Sequence, residues 1–144
     1  MFMISLDTLK SAAEENDTAA QFNLAVHYLT CASTDYSSGE ALHWMQRAAE
    51  RGHPQAQVEL GKLYMGSPGV APDLVEAYRW IETAYVHHVE KVACEPSPDF
   101  HDSELALQNL SELKRWLSLQ MTLDQIIEGQ RRAISFLSKM KDWL

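Results

Sequence analysis

Six histidines and two cysteines are the residues of this chain with the widest coordination chemistry. His87 and His88 are followed by Glu90, and on a helix His87 and Glu90 would be i, i+3 neighbours on one face. A zinc site needs three or four converging ligands. His27, His43, His53 and His101 do not stand at a spacing that gathers them around that pair. No metal site and no cofactor are therefore expected. Cys31 and Cys94 form no CxxC pair and have no histidine at metal-ligand spacing, so they read as free thiols of a reducing compartment. Cys31 follows a helix and precedes a Ser/Thr-rich turn, and without a nearby helix N-terminus it reads as a surface thiol with no role. There is no GxSxG, no phosphate-cradling glycine loop and no HExxH. The expectation is a protein that is not an enzyme.

Charge narrows the partner. The net charge is −8. Residues 1–109 hold 16 acidic and 6 basic side chains, whereas residues 110–144 hold 4 acidic and 6 basic. Nucleic-acid binding rests on Lys and Arg releasing counterions from phosphates, which an acidic body disfavours. Arg131, Arg132, Lys139 and Lys141 make a basic tail able to touch something acidic, but they read first as a solvated helix face. The N-terminal Met1 to Asp7 has no basic region and no long apolar run, and no stretch has the length of a membrane span. A cytoplasmic protein is expected, with neither nucleic acid nor membrane as its partner.

These residues must be positioned by some framework, and the framework is visible when the chain is slid along itself by 36 residues. Ala12-Ala13-Glu14 falls on Ala48-Ala49-Glu50, Ala20-Gln21 on Ala56-Gln57, Leu24 on Leu60 and Tyr28 on Tyr64. Without a gap, Glu40-Ala41 then meets Glu76-Ala77, Trp44 meets Trp80 and Ala48 meets Ala84. In the first block Ala, Leu, a small residue and Tyr recur at i, i+4, i+5 and i+8, which is one stripe of a helix. In the second, Ala, Trp and Ala at i, i+3 and i+7 make another. The small residue, Ala25 or Gly61, allows a neighbouring helix to approach closely. Trp44, Trp80, Tyr28 and Tyr64 are expected in the core. Such stripes are buried by stacking one helix pair on the next.

Punctuation agrees. Gly52 sits where a left-handed helix C-terminus is expected, Asn16 takes the same place one repeat earlier, and Pro54 opens the next helix. Asp73 is a suitable N-cap after the Gly66 to Pro72 turn. Thr122-Leu123-Asp124-Gln125 has the form of a capping box. The spacing predicts a partial helix over 5–15, then helices near 17–30, 38–51, 54–65 and 74–91. A loop with two prolines follows at 93–102. Ser103 then caps a helix to about 119, and a last helix of about 20 residues starts at the capping box. As the terminal element of a solenoid, that last helix is expected to turn a polar face outward.

The run Ala41-x-x-Trp44-x-x-x-Ala48-Ala49-Glu50-x-Gly52-His53-x-x-Ala56-Gln57-x-x-Leu60-Gly61-x-x-Tyr64, continued by Gly69-Val70-x-x-Asp73-x-x-x-Ala77-x-x-Trp80, resembles the Sel-one-like repeat family, a relative of the tetratricopeptide repeat. The likeness is strong over about 12–85. Beyond it, only Met121 to Ile126 is similar to the cap of many bacterial members. Cys31 to Gly39 replaces the glycine-rich loop at the same length, and Val86-His87-His88 ends the regular pattern. Cys31 and Cys94 do not fit the disulfide arrangement of some secreted members.

The resemblance implies an all-α fold, a right-handed α-α superhelix of the tetratricopeptide-like solenoid kind. It would hold two repeats (about 17–52 and 53–88) between a partial N-terminal helix and two C-terminal capping helices (about 103–144), as one domain over 1–144. It also implies a non-enzymatic module binding a protein or peptide, usually bacterial for chains of this size: an adaptor, a regulator, a secretion chaperone or a toxin-neutralising immunity-type protein. The first helix of each repeat lines the concave face. Phe22, Val26 and Leu29 in the first repeat, and Val58, Lys62 and Met65 in the second, are then the candidate partner-binding residues. Either they stand open to a partner or a C-terminal helix covers them. Two other functions compete. One is a β-lactam-type hydrolase, as suggested for some cysteine-rich relatives; the other is a subunit that oligomerises through its Leu-rich C-terminal helices.

Overall fold

A computed structural model describes residues 5–30, 35–66, 70–94 and 100–142. Among these the elements are helices throughout, with no strand: α1 (Leu6–Glu14), α2 (Thr18–Thr30), α3 (Asp35–Glu50), α4 (Pro54–Tyr64), α5 (Leu74–Cys94), α6 (Phe100–Gln120) and α7 (Leu123–Asp142). Cys31, the centre of the Gly66 to Pro72 turn and the two prolines at 96 and 98 lie outside the described residues. The chain divides into two compact units, Met1–Pro72 and Asp73–Leu144.

In the first unit each helix packs on the next, α1 on α2, α2 on α3 and α3 on α4. The core is small-residue rich. Ala13, Ala25, Ala41, Ala48 and Ala49 are fully buried around Leu24, Met45 and Leu60. The 36-residue register repeats down to single hydrogen bonds. Asn16 (φ 69°) and Gly52 (φ 91°) end α1 and α3 in the left-handed region. At both ends two bonds close the helix: Asn16 N–H to Ala13 O (3.2 Å) and Asp17 N–H to Ala12 O (3.1 Å), then Gly52 N–H to Ala49 O (3.0 Å) and His53 N–H to Ala48 O (3.1 Å). The residue that closes one helix also caps the next. Asp17 Oδ1 accepts from Ala20 N–H at 3.2 Å, and His53 Nδ1 accepts from Ala56 N–H at 3.1 Å. Beside each junction a fully buried glutamine donates through Nε2 to a carbonyl eight residues back: Gln21 to Ala13 O (3.0 Å) and Gln57 to Ala49 O (3.2 Å).

In the second unit α6 and α7 both pack on α5. Asp73 Oδ1 caps α5 by accepting from Glu76 N–H at 3.1 Å. Thr122 and Gln125 form the reciprocal capping box at the start of α7, at 2.9 and 3.3 Å. Trp80 and Ile81 are buried, and Phe136 meets Trp80 edge to face at 5.1 Å. Gly129 lets α7 lie directly on Tyr78 of α5; a Cβ there would stand 2.9 Å from the ring.

Several expectations are corrected. Helix α6 starts at Phe100, so Ser103 lies within it and is not its cap. Proline forbids helix interiors but not helix starts, and the helix begins soon after the second one. Helix α3 starts at Asp35, three residues early, because Asp and Ser suit a first turn as well as a loop. Helix α5 runs three residues longer, to Cys94, and stops before the proline that would restrict Glu95. Trp44 and Trp80 are core, but Tyr28 and Tyr64 are half-buried, since the stripe reaches the edge of the helix contact before it reaches them. The exposed face of the C-terminal helices is mostly polar but carries large apolar side chains as well. Leu119 is 75% exposed, Leu123 71% and Ile134 64%, with Ile127 and Trp116 beside them.

Candidate partner-binding surface

Helix α2 carries Phe22, Val26 and Leu29 on successive turns, and α4 carries Val58 and Lys62, with Met65 at its C-cap. The five apolar residues are half-buried and Lys62 is exposed. Leu24, Ala25, Leu60 and Gly61 of the same two helices are fully enclosed or nearly so. The structure ties the two helices together at one point. The Phe22 ring stacks on the His53 imidazole, centroids 4.6 Å apart and planes 20° from parallel. His53 is thereby shielded, and burial pushes its pKa below the ordinary 6.5. A neutral ring is what the N-cap needs, because Nδ1 must be unprotonated to accept the Ala56 N–H. Lys62 pairs with Glu59 at 3.4 Å along the exposed side of α4.

The histidines do not converge. His27 lies edge to face with Tyr28, and His43 with Trp44. The pKa of His87 is lowered by burial, with Glu90 opposing the shift. Among the described residues no three His, Cys, Asp or Glu side chains gather as metal ligands. No helix of the described residues is long and apolar enough to cross a membrane.

A second site was only half visible in the sequence. Arg131, Arg132 and Lys139 of α7 are joined by Arg79 and Glu76 of α5 around a cavity of about 330 Å³, with Ser135 and Phe136 completing the wall. Glu76 accepts from Arg79 at 3.0 Å and from Arg132 at 2.6 Å. Glu128 binds Arg131 at 2.8 Å and Arg132 at 2.9 Å, and these two arginines hold its carboxyl below the usual range. The clue in the sequence was charge at i, i+3 and i+4 along α7; the contribution of α5 needs the fold.

All-helical architecture with a helix–turn–helix module repeated at 36 residues defines an α-α repeat protein of the tetratricopeptide-like class. Residues 18–53 and 54–85 each match the Sel1 repeat, so the chain carries two Sel1 repeats. Sel1 repeats generally mediate protein–protein interactions. The chain is similar to the chitin synthase regulator of Saccharomyces cerevisiae, 32% identical over 83 residues, which are 56% of this chain and 12% of that protein. It is also similar to a solved structure, that of a protective antigen present in uropathogenic Escherichia coli strains and displaying an SLR fold. There the TM-score is 0.70 at 26% identity, over 93% of this chain and 25% of the other. The chain thus spans about an eighth of the yeast relative and a quarter of the bacterial one.

Proposed function

We propose that this chain is a non-catalytic binding module that holds a protein or peptide against α2 and α4, through Phe22, Val26, Leu29, Val58, Lys62 and Met65. The observation that carries the reading is the row of half-buried apolar side chains on the first helix of each repeat, with Phe22 fixed by its stack on His53. A fixed aromatic is a common anchor in protein interfaces, since little side-chain freedom is lost when it is covered. Of the roles open to such a module (adaptor, regulator or toxin-neutralising protein), regulation is favoured by the name of the yeast relative, a regulator of an enzyme. On this reading the 144 residues work as one repeat domain in the bacterial cytoplasm, with α6 and α7 as its cap and without a cofactor.

The test compares proteins that co-purify with the wild-type chain and with two variants. Phe22→Asp and the exposed Lys62→Glu are each expected to retain helical circular dichroism and to lose the same partner. Retention of that partner by both folded variants would sink the reading. If Phe22→Asp unfolds, Lys62→Glu alone decides.

One observation favours a second reading, a subunit that associates with another copy of itself through α6 and α7. Leu119, Leu123, Ile127 and Ile134 are large, apolar and exposed on these helices. Sedimentation is expected to show a mass that rises with concentration on this reading; a monomer throughout removes it.

A further inference from the structure

We infer that the cavity between α5 and α7 is an anion site, taking a carboxylate of an acidic peptide segment. The proposal rests on the protein-binding reading for the source of the anion, but on different residues and in the second unit. Four cations line or rim the cavity, Arg79, Arg131, Arg132 and Lys139, against the carboxylates of Glu76 and Glu128. That leaves a local surplus of two positive charges on a chain whose net charge is −8. Arg131 and Lys139 stand at the exposed rim, whereas Arg79 is half-buried and held in place. The Arg79 guanidinium lies over the Trp80 ring at 4.5 Å and over the Phe136 ring at 5.5 Å, while its Nη1 donates to Glu76. Its Nε–H is buried and has no hydrogen-bond partner. A buried charged donor left unmade is costly, and it points to an acceptor that arrives with a ligand. The Lys139 ammonium makes no ion pair among the described residues.

The chemistry of the wall selects the ligand. A guanidinium fixed on aromatic faces presents N–H groups in a plane, which suits an oxyanion approached edge-on. Phe136 gives the same cavity an apolar side and Ser135 a hydroxyl. A carboxylate next to an apolar group satisfies all three, as in a peptide where Glu or Asp neighbours an aromatic residue. An inorganic dianion uses the charge but leaves the aromatic wall uncovered, and Glu76 opposes it.

The test is an NMR titration of the full chain that follows the side-chain Nε–Hε signals of Arg79, Arg131 and Arg132. The probes are the blocked tripeptide Glu-Phe-Glu, its Gln-Phe-Gln counterpart and inorganic phosphate. The acidic tripeptide is expected to shift the Arg79 signal saturably in the millimolar range or tighter, while the glutamine peptide leaves it in place. The double variant Arg131→Glu with Lys139→Glu, at exposed positions and therefore folded, is expected to weaken the acidic peptide about tenfold or more, roughly the 1.4 kcal/mol of one decade in affinity. Phe22→Asp, in the other unit, is expected to leave this titration unchanged, so failure of the α2–α4 surface and failure of the cavity are told apart. No saturable shift, an equal response to the glutamine peptide, or tighter binding of phosphate than of the acidic peptide would overturn the proposal.

Discussion

Gln21 and Gln57 occupy the same place in consecutive repeats, are both fully buried and make the same bond, yet their replacement by Met is expected to have different consequences. Methionine matches glutamine closely in length and shape, so the substitution removes the amide while opening little space. Neither acceptor is orphaned by it, because Ala13 O keeps the Asn16 N–H and Ala49 O keeps the Gly52 N–H. The two sites differ at the other end of the amide. Gln21 Oε1 is buried without a partner, whereas the oxygen of Gln57 is not among such orphans. Losing the Nε2 bond costs about 1 kcal/mol at either site, and a buried unsatisfied acceptor costs about 1–3 kcal/mol while it is present. Gln21→Met relieves that second cost and should come out near zero or slightly stabilising. Gln57→Met has nothing to relieve and should destabilise by about 1–2 kcal/mol. Urea unfolding followed by circular dichroism resolves this difference as a midpoint lower by about 0.5–1 M for Gln57→Met at unchanged slope. If Gln21→Met costs as much as Gln57→Met, or more, the reasoning is wrong.

Two further perturbations test the helix contacts. Gly129→Ala gains about 1 kcal/mol in helix propensity, but its Cβ meets the Tyr78 ring at 2.9 Å and the Tyr78 Cβ, which cannot swing away, at 3.3 Å. Overpacking of this kind costs about 1–3 kcal/mol, so a lower unfolding midpoint is expected and a higher one would show that α7 does not lie so close to α5. His53 has a folded pKa below 6.5, so the unfolded chain binds the proton more readily. Its contribution to stability is therefore complete above pH 6.5 and is lost as pH falls through the lower folded value. His87 shifts in the same direction, so the wild type must be compared with His53→Asn, which caps α4 without titrating. The gap between the two should narrow or reverse on acidification, and a gap constant from pH 8 to about 5 would refute the link.

How much of this was legible follows from how local each cause is. The ends of α1 and α3 were legible because a left-handed residue, a proline and a capping side chain act within a few residues. Asn16, Gly52, Pro54, Asp73 and the Thr122–Gln125 box all sit where their chemistry puts them. The glutamines showed in the sequence only as a repeated letter, since their acceptors become neighbours when α1 turns into α2 and α3 into α4. Tyr28 and Tyr64 share a stripe with buried residues, but periodicity gives direction and not depth. The exposed apolar residues of α6 and α7 are legible only as Leu-rich helices for the same reason: a stripe such as Leu123, Ile127 and Ile134 reads as core whether or not anything covers it. Arg79 was lost among acidic neighbours, because counting charge along the chain cannot see that Glu76 holds Arg79 and Arg132 at once.

That last miss bears on how the two surfaces would divide the work of recognition. Residues 1–109 hold ten more acidic than basic side chains, so an acidic segment meets net repulsion over most of the chain. At physiological salt the Debye length is about 8 Å, and attraction to the cavity acts only once the segment is nearly in place. Charge here is suited to fixing which segment docks and in what register, more than to raising affinity. Affinity must then come from covered apolar area, which Phe22, Val26, Leu29, Val58 and Met65 offer and the cavity, with Phe136 as its one aromatic wall, offers far less. A partner chosen by both surfaces therefore has to present apolar side chains and a separate carboxylate, and loss of either feature should be felt differently: the first as weak binding at any salt, the second as lost selectivity among otherwise similar apolar segments.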